Sequence, residues 1–530
     1  MNISVDGSIL SNESIRACSL DELVAELPEI YQPIYGHPKL STHASRQCKD
    51  RLFHIAQIYR VFEARLKRPL RVLDLGCAQG FFSLSLAKIG ATVLGVDFQP
   101  VNIAVCNALA AEHPELNIRF QAGLIEEAIA RIEKDEYDLV LGLSVFHHIV
   151  HKSGIATVQK MLAALAAKTA VSVFEMALAN EPPSWAASQP QNPRQLLSGF
   201  AFVHELAYNA THLSDIPRPL YVASNRYWYF SGQAGVFDTV KTESHVFADN
   251  ASLGTRRYFF GEGRIVKLFH LDRPDRRSAN LREHCNEVSF LKNYPARLKA
   301  PRLVLQGQSA SEAWLVREQL PGEMLIDRIR FGKTYDAALV VRDIVEQLAT
   351  LESVELYHDD LRIWNILIGS DGHAALIDYG AIDKNKKDCA WPHNVFLSFI
   401  IFIHEITGGR IAKPDPLRAP LLNPDVLPEP YRSAVWEMLE QPPSEWSFAF
   451  LRDRILRPSS DNPAKPHAGF AMILDAMETA CWIYHDRPGN LQHQARWPEL
   501  RATRVPPGEP SPQPSLDASP AITRLSSFWH

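Results

Sequence analysis

The sequence predicts two domains in series, an α/β doubly wound sheet followed by an α+β unit, and three observations predict them. First, an apolar strand, Pro69–Leu75, runs into a glycine turn, Gly76–Gly80, then a helical run, Phe81–Ile89, and a second strand that ends on Asp97. Strand, glycine turn, helix, strand and acid make up the nucleoside-binding half of a doubly wound sheet. Second, far downstream, Asp360, Asn365 and Asp378 follow one another around a hairpin-like turn, Gly369–Gly372. A base followed by two oxygen ligands, in that order, is what phosphoryl transfer requires. Third, the chain has 530 residues, too many for a single core.

Composition narrows the classes further. The chain is 46% apolar and 22% charged, ordinary for a globular enzyme. Its net charge of −5 argues against a nucleic-acid coat. The 7 cysteines are scattered without a C-x-x-C pair, which suggests neither a disulfide frame nor a zinc site and fits a reducing cytoplasm. The N-terminus, MNISVDGSIL, has no basic region or apolar core of a secretory signal. The longest apolar run, Val395–Ile403, is half of what a membrane span needs and reads as a buried helix.

In chain order, Asp21–Gly36 reads as a short helix and a turn fixed by Pro33, and Arg51–Leu66 has helical periodicity. Asp74 stands two residues ahead of Gly76, and the turn is spaced D-x-G-x-x-x-G rather than G-x-G-x-x-G. That spacing resembles motif I of class I S-adenosylmethionine (SAM) methyltransferases, a Rossmann-like fold, with Ala78 where the family has its middle glycine. Arg119–Gly123 and Tyr137–Leu143 read as further strands, and Ser144–His148 as a loop facing the methyl donor. Asp97 suits a ribose diol, or in the structural alternative caps a helix. His147 and His148 are either substrate contacts or structural histidines of a turn.

Residues Asn180–Arg194 hold four prolines and cannot form a long helix or a central strand. Arg218 lies between Pro217 and Pro219, a stiffened arginine suited to meeting an anion or else a solvated loop residue. Arg226–Phe230 and Gly235–Phe247 read as strands that close this domain near residue 245.

The second domain reads as an atypical protein-kinase-like fold. Two strands within Arg256–Phe269 flank a tight turn, and Lys267 sits where a kinase places the lysine for ATP phosphates. Glu287, in a helical run, is the expected partner of that lysine, with Glu283 one turn earlier as its competitor. The strand Ala313–Gln319 leads to a hinge, Leu320–Gly322, placing Glu318 and Leu320 beside the adenine. Asp360 would face the acceptor hydroxyl, Asn365 and Asp378 would hold magnesium, and Arg362 would neutralise the moving phosphate. Two features depart from protein kinases. No G-x-G-x-x-G precedes Lys267, so the Arg256–Arg257 pair is expected to cover the phosphates, and no A-P-E follows Asp378. So short an activation segment has little to grip a peptide and favours a small-molecule or sugar hydroxyl.

The stretches LPEIYQPIYGHP, VLDLGCAQGFFSLSLA, GLSVFHHIVH, SQPQNPRQL, THLSDIPRPLY, RRYFFGE and HDDLRIWN follow in order between Leu27 and Asn365, within a likeness over roughly residues 25 to 450. In them the chain resembles the WbdD-type bifunctional kinase–methyltransferases that cap polymannose O-antigen chains in Gram-negative bacteria. The resemblance implies that a terminal mannose of a lipid-linked chain is phosphorylated from ATP, the phosphate is methylated from SAM, and elongation stops. It implies a SAM site at Tyr31, Gln32, Arg51, Gly76, Asp97 and Leu143, with Arg51 on the methionine carboxylate and Asp74, Gly80, Ile125 and Glu126 beside it. It implies an ATP and magnesium site at Lys267, Glu287, Asp360, Asn365 and Asp378. Arg218, His147 and His148 would supply cations for the phosphate. A mannosyltransferase or polymerase partner and a place at the cytoplasmic face of the inner membrane follow from the same likeness. The domains expected are 1–245 (methyltransferase), 246–465 (kinase-like), 466–505 (a helical extension, with Ala468–Tyr484 as one helix) and 506–530 (a Pro/Ser-rich tail unable to form a core). The family continues into a long coiled coil, whereas no sustained heptad follows residue 450 here. The alternative function is methylation of another acceptor, with a regulatory or inactive kinase-like domain.

Overall fold

The computed structural model describes residues 19–245, 248, 252–410, 421–458 and 468–485. Its two compact units divide between Asp238 and Thr239.

In the first unit seven strands form one sheet: β1 (Arg71–Leu75), β2 (Thr92–Asp97), β3 (Ile118–Ala122), β4 (Leu139–Leu143), β5 (Val171–Glu175), β6 (Phe202–Asn209) and β7 (Arg218–Ser224). Their order is β3-β2-β1-β4-β5-β7-β6. β1 to β5 run parallel, and β7 is antiparallel to both β5 and β6. β4 and β5 are buried along their whole length, which is why they read as continuous apolar runs. The strand order reverses between β1 and β4, so the ligand crevice opens at their carboxyl ends. Helices Lys49–Leu66, Phe81–Lys88, Pro100–Glu112, Ile125–Arg131 and Ile155–Lys168 supply the crossovers and flanks.

The structure departs from expectation in two places here. Ser144–His148 is not a loop throughout: a helix, Phe146–Ser153, begins at once because Phe146, Ile149 and Val150 form one buried helical stripe. The segment Gly235–Phe247 is not one strand. β9 (Gln233–Val236) pairs with β8 (Tyr227–Phe230) in the first unit, while β10 (Thr239–Lys241) joins the sheet of the second. The turn between them moves the division of the units a few residues ahead of 245.

The second unit opens with an antiparallel sheet in the order β10-β11-β12-β14-β13, where β11 is Arg256–Gly261, β12 Arg264–His270, β13 Leu303–Gln308 and β14 Glu312–Glu318. Helix Pro274–Lys292 packs on it. A larger, mostly helical part follows, its core built on Val340, Val341, Ile344, Val345 and Leu348 of helix Ala337–Glu352. Opposite them lies helix Val395–Gly408, buried on nearly every side and capped by Asn394, whose side chain accepts from the Phe396 and Leu397 amides. The apolar run is therefore a core helix, and no helix among the described residues is long and apolar enough to cross a membrane. Helix Ala468–His485 forms as its periodicity predicts, with Ile473, Ala476 and Ala480 buried in the same core. The expected Pro/Ser tail and residues 486–505 lie outside the described residues.

Phe399 is completely buried between Phe402 and Phe448. Phe399→Ala should destabilise the protein by about 3–5 kcal/mol, seen as a lower urea midpoint for the transition that carries the second unit.

Candidate active sites

At the carboxyl end of β1 the chain turns through Gly76 and Gly80, with φ of 74° and 77°. A Cβ on Gly76 would collide with the Val145 side chain, so glycine is required on two counts. Ala78, where a glycine was expected, also has positive φ, 47°. Its amide donates to Asp97 Oδ2 at 3.0 Å. Asp97 Oδ1 accepts from the Gln99 amide and Asn102 Nδ2, and the helix that follows is capped by Gln99 rather than Asp97. Oδ1 is thereby filled, and Oδ2 keeps a further lone pair for a diol hydroxyl. Asp74 faces inward instead: it accepts from Ser83 Oγ at 2.6 Å, and burial pushes its pKa up to about 6. It ties the strand to the following helix rather than reaching a ligand. Gln32 Oε1 accepts from the Phe81 amide, and the Gln32 amide donates to Gln79, which clamps the Tyr31–Gln32 segment over the turn. Leu143 ends β4, and Ile125 and Glu126 open the helix after β3.

Beside the turn lies an ion cluster that motif reading did not reveal. Glu175, at the end of β5, accepts both terminal nitrogens of Arg46 at 2.8 and 2.9 Å and Arg51 NH1 at 3.4 Å. Ser144 Oγ bonds Glu175 and accepts from Arg46 NH1 and Arg218 NH1. Arg218 donates Nε and NH2 to Glu181 at 2.9 and 2.7 Å and lies over the Trp185 ring. Asp50, half-exposed, lies 3.6 Å from Arg51 Nε, so three guanidiniums face three carboxylates here. Arg46 Nε and Arg51 Nε are buried without a hydrogen-bond partner among the described residues. Those unmade N–H bonds suit the carboxylate of an amino-acid group, the part expected of Arg51. The only hint in the sequence was Glu175 itself, an acid ending an apolar strand.

Two expectations change here. Arg218 is not a free cation, because Glu181 engages its fork. His147 and His148 are not cations either. Burial first, then His148 and Arg218, push the pKa of His147 down to about 2, and burial and Arg218 also lower that of His148. His147 is wedged between His148 and Trp185, with centroids 4.0 and 4.4 Å away. Both rings are neutral donors or acceptors.

In the second unit Lys267 Nζ lies 2.6 Å from Glu287 and 3.1 Å from Asp378, with Glu283 at 4.0 Å. Burial opposes its charge, yet Glu287, Asp378 and Glu283 together outweigh burial and raise its pKa. Glu287, wholly buried, also accepts from Arg317 Nε. Glu283 holds Arg256 at 2.6 Å. The two glutamates thus divide the work: Glu287 takes the lysine, and Glu283 fixes β11 to the helix. Arg256 is thereby tied to the helix, and Arg257 donates to the Gly254 and Arg256 carbonyls. The two arginines do not form one clamp.

Asp360 lies on the loop after strand Tyr357–His358. Asn365 Nδ2 donates to both its carbonyl and its Oδ2 at 2.8 Å, and its amide bonds His358 Nδ1. Asn365 keeps its own Oδ1 available. Asp378 has φ 66°; burial would raise its pKa, but Lys267, His358 and Arg256 lower it to about 2. Gly380 packs so closely on Glu283 that a Cβ would strike it. An amide oxygen and an ionised carboxylate fit magnesium, which completes its shell with water and substrate phosphates.

Arg362 has a different part from the one expected. It forms a two-pronged pair with Asp388 at 2.9 and 2.6 Å, both residues buried, and donates to the Trp391 carbonyl. Its Nε is 3.9 Å from Asp360. It anchors the Asp360 loop and is spent as a phosphate ligand. The Glu318 side chain pairs with Arg302 at the surface, its amide donates to the Arg302 carbonyl and its carbonyl accepts from Arg317 NH1. Leu320 lines a cavity of about 860 Å³ with Pro321, Gln347, His373 and Arg452, on which neither Lys267 nor Asp378 opens. Sequence reasoning missed Arg317, Asp388 and Asp359, whose pKa burial and neighbouring Asp360 push up to about 8.

A methyltransferase-domain family model matches residues 66–213. The O-antigen chain terminator bifunctional methyltransferase/kinase WbdD of Escherichia coli is 41% identical over 438 residues, 82% of this chain and 62% of the relative. The chain thus spans 62% of the length of these curated relatives. A solved structure of the bifunctional kinase–methyltransferase WbdD is 38% identical, covers 87% of this chain and 100% of its own, and has a TM-score of 0.74. Another, with its C-terminal bundle ordered, is 37% identical and covers 91% and 99%, with a TM-score of 0.79.

Two outcomes follow from this geometry. A His147 pKa depressed on folding means the unfolded chain binds the extra proton first, so the stability it contributes is full above about pH 6.5 and is lost as pH falls toward the folded value of about 2. Urea midpoints of wild type and His147→Gln measured across that range should converge as pH drops. Arg362→Met, leaving Asp388 buried without its counter-ion and with only the Ser398 hydroxyl and Ala390 amide as partners, should cost about 3–5 kcal/mol. The double variant Arg362→Met/Asp388→Leu should regain much of that in thermal unfolding without regaining kinase turnover.

Proposed function

The chain belongs to the WbdD family of bifunctional kinase–methyltransferases, and on that premise we propose that it phosphorylates the terminal mannose of a lipid-linked polymannose chain and then methylates that phosphate. The observation that carries this reading is the presence in one chain of a phosphoryl-transfer set and a methyl-transfer crevice whose buried arginines keep N–H groups unmet.

In the first step Asp360 faces the acceptor hydroxyl through the oxygen that Asn365 leaves free. Lys267, held between Glu287 and Asp378, meets the nucleotide phosphates. Asn365 and Asp378 would hold magnesium, which when bound supplies neutralisation of the phosphate charge. The Arg362–Asp388 pair keeps the loop in place. The product is a sugar phosphate carrying between about one and two negative charges near neutral pH.

That phosphate oxygen is already a nucleophile. Its lone pair forms the O–CH3 bond as the S–CH3 bond breaks and the electron pair returns to sulfur, and no proton moves. The crevice has only to align the two groups, which can supply about 7–11 kcal/mol. The net positive charge of SAM opposes the charge of the phosphate, and the arginine cluster is balanced by its own carboxylates. Neutral His147 and His148 fit this scheme better than cations, since they orient the oxygen without drawing off its electron density. A lipid-linked acceptor would bring the enzyme to the cytoplasmic face of the inner membrane, beside the mannosyltransferase whose product it blocks.

The test is to incubate the protein with synthetic oligomannose, magnesium ATP and SAM and to read product masses. Gain of phosphate followed by methyl is expected; methyl addition to unphosphorylated acceptor would sink the reading. Asp360→Asn should slow phosphorylation by about 10²–10⁴ while methylation of pre-phosphorylated acceptor continues.

A further inference from the structure

We propose that Asn209 is a specificity residue of the methyl-transfer site, donating its side-chain N–H to the acceptor phosphate. The proposal rests on the reading above that the acceptor is a phosphate monoester.

Asn209 is the last residue of β6, and it pairs with Arg218, the first residue of β7. Directly opposed residues of an antiparallel pair point to the same face of the sheet, so the Asn209 amide lies on the face where Arg218 meets Ser144 and Glu181. Since β7 runs antiparallel to β5, this end of the β6–β7 hairpin lies at the carboxyl end of β5, the ligand side of a doubly wound sheet. Arg46 closes the same corner by donating to the Ala210 carbonyl at 2.6 Å.

Asn209 is only 3% exposed, yet its Nδ2 has no hydrogen-bond partner among the described residues. A buried amide left unsatisfied is costly, and such a group in a ligand crevice points to a partner supplied by the ligand. It does not stand alone. His147 Nδ1 and His212 Nδ1 are likewise buried without a partner, and His212 packs edge-on against Tyr31. Arg46, Arg51 and Arg218 all bear on the charge of His212, as Arg218 does on that of His147. Neutral donors therefore approach one arginine corner from two directions, from the β6–β7 connection and from helix Phe146–Ser153.

The chemistry gives a reason for an amide at this position. The guanidinium of Arg218 is already satisfied by Glu181, so it shapes the pocket without binding the phosphate as a free ion pair. A neutral N–H donor fixes the orientation of the phosphate and leaves its attacking oxygen electron-rich, which a full counter-ion would not. It also discriminates: a hydroxyl acceptor would not fill three donors, whereas a phosphate has oxygens for all of them.

The test uses the full-length protein with S-adenosylhomocysteine bound and inorganic phosphate as probe, followed by phosphorus NMR, together with acceptor KM and calorimetric SAM affinity. Asn209→Leu should weaken phosphate binding and raise acceptor KM by about tenfold or more, leaving SAM affinity within about twofold. Asn209→Asp, the same shape with a like charge, should be worse than leucine for phosphate. Unchanged phosphate affinity in a variant that still binds SAM would overturn the proposal, as would SAM affinity falling in parallel with phosphate affinity. If the wild type binds phosphate but never methylates phosphorylated oligomannose, the proposed function fails while the Asn209 assignment stands.

Discussion

Charge removed from water must be neutralised where it lies, and both active sites are organised by that constraint. Glu287, with no exposed surface, carries Lys267 on one oxygen and Arg317 on the other. Glu175, equally buried, carries Arg46 and Arg51. In each case one carboxylate receives two cations, and further acids, Asp378 beside Lys267 and Asp50 beside Arg51, balance the rest of the charge. Without its glutamate, either set of cations would repel itself apart in a low-dielectric interior.

The pairs are not interchangeable. Arg218–Glu181 and Arg362–Asp388 are closed, two-pronged pairs with their charges already balanced. They act as fixed points. Arg362 anchors the loop of Asp360 to the segment around Trp391, and Trp391 in turn donates to the Ala476 carbonyl of helix Ala468–His485. Arg218 fixes the end of β7 to Ser144 and thereby the corner where Asn209 and the histidines converge. The open clusters meet ligand charge, and the closed ones hold the backbone that presents the reacting groups.

This division of labour fits the order of chemistry proposed. Phosphoryl transfer moves charge onto the acceptor and needs cations close by, which Lys267 and the oxygens of Asn365 and Asp378 can arrange. Methyl transfer to the resulting phosphate needs alignment with little further neutralisation. A crevice with charge-balanced arginines and several neutral donors is suited to that task, and one lined with free arginines would hold the phosphate too firmly for its oxygen to attack.

The sequence by itself determined the two folds and the residues whose roles are carried by local pattern. Strand, glycine turn and helix at 71–88 form as their spacing requires, because positive φ at Gly76 and Gly80 is a local demand. Lys267, Glu287, Asp360, Asn365 and Asp378 come together because register along β12 and turns around the loop bring fixed spacings to fixed places. The polar clusters depended on tertiary structure. Arg46 and Glu175 are 129 positions apart, Arg218 and Glu181 37, and Arg362 and Asp388 26. No local pattern marks such partners, so Arg218 and Arg362 read as free cations until folding brought each its carboxylate. The histidines show the same limit: whether an imidazole is charged depends on burial and on what lies across from it, and only the packed chain decides both.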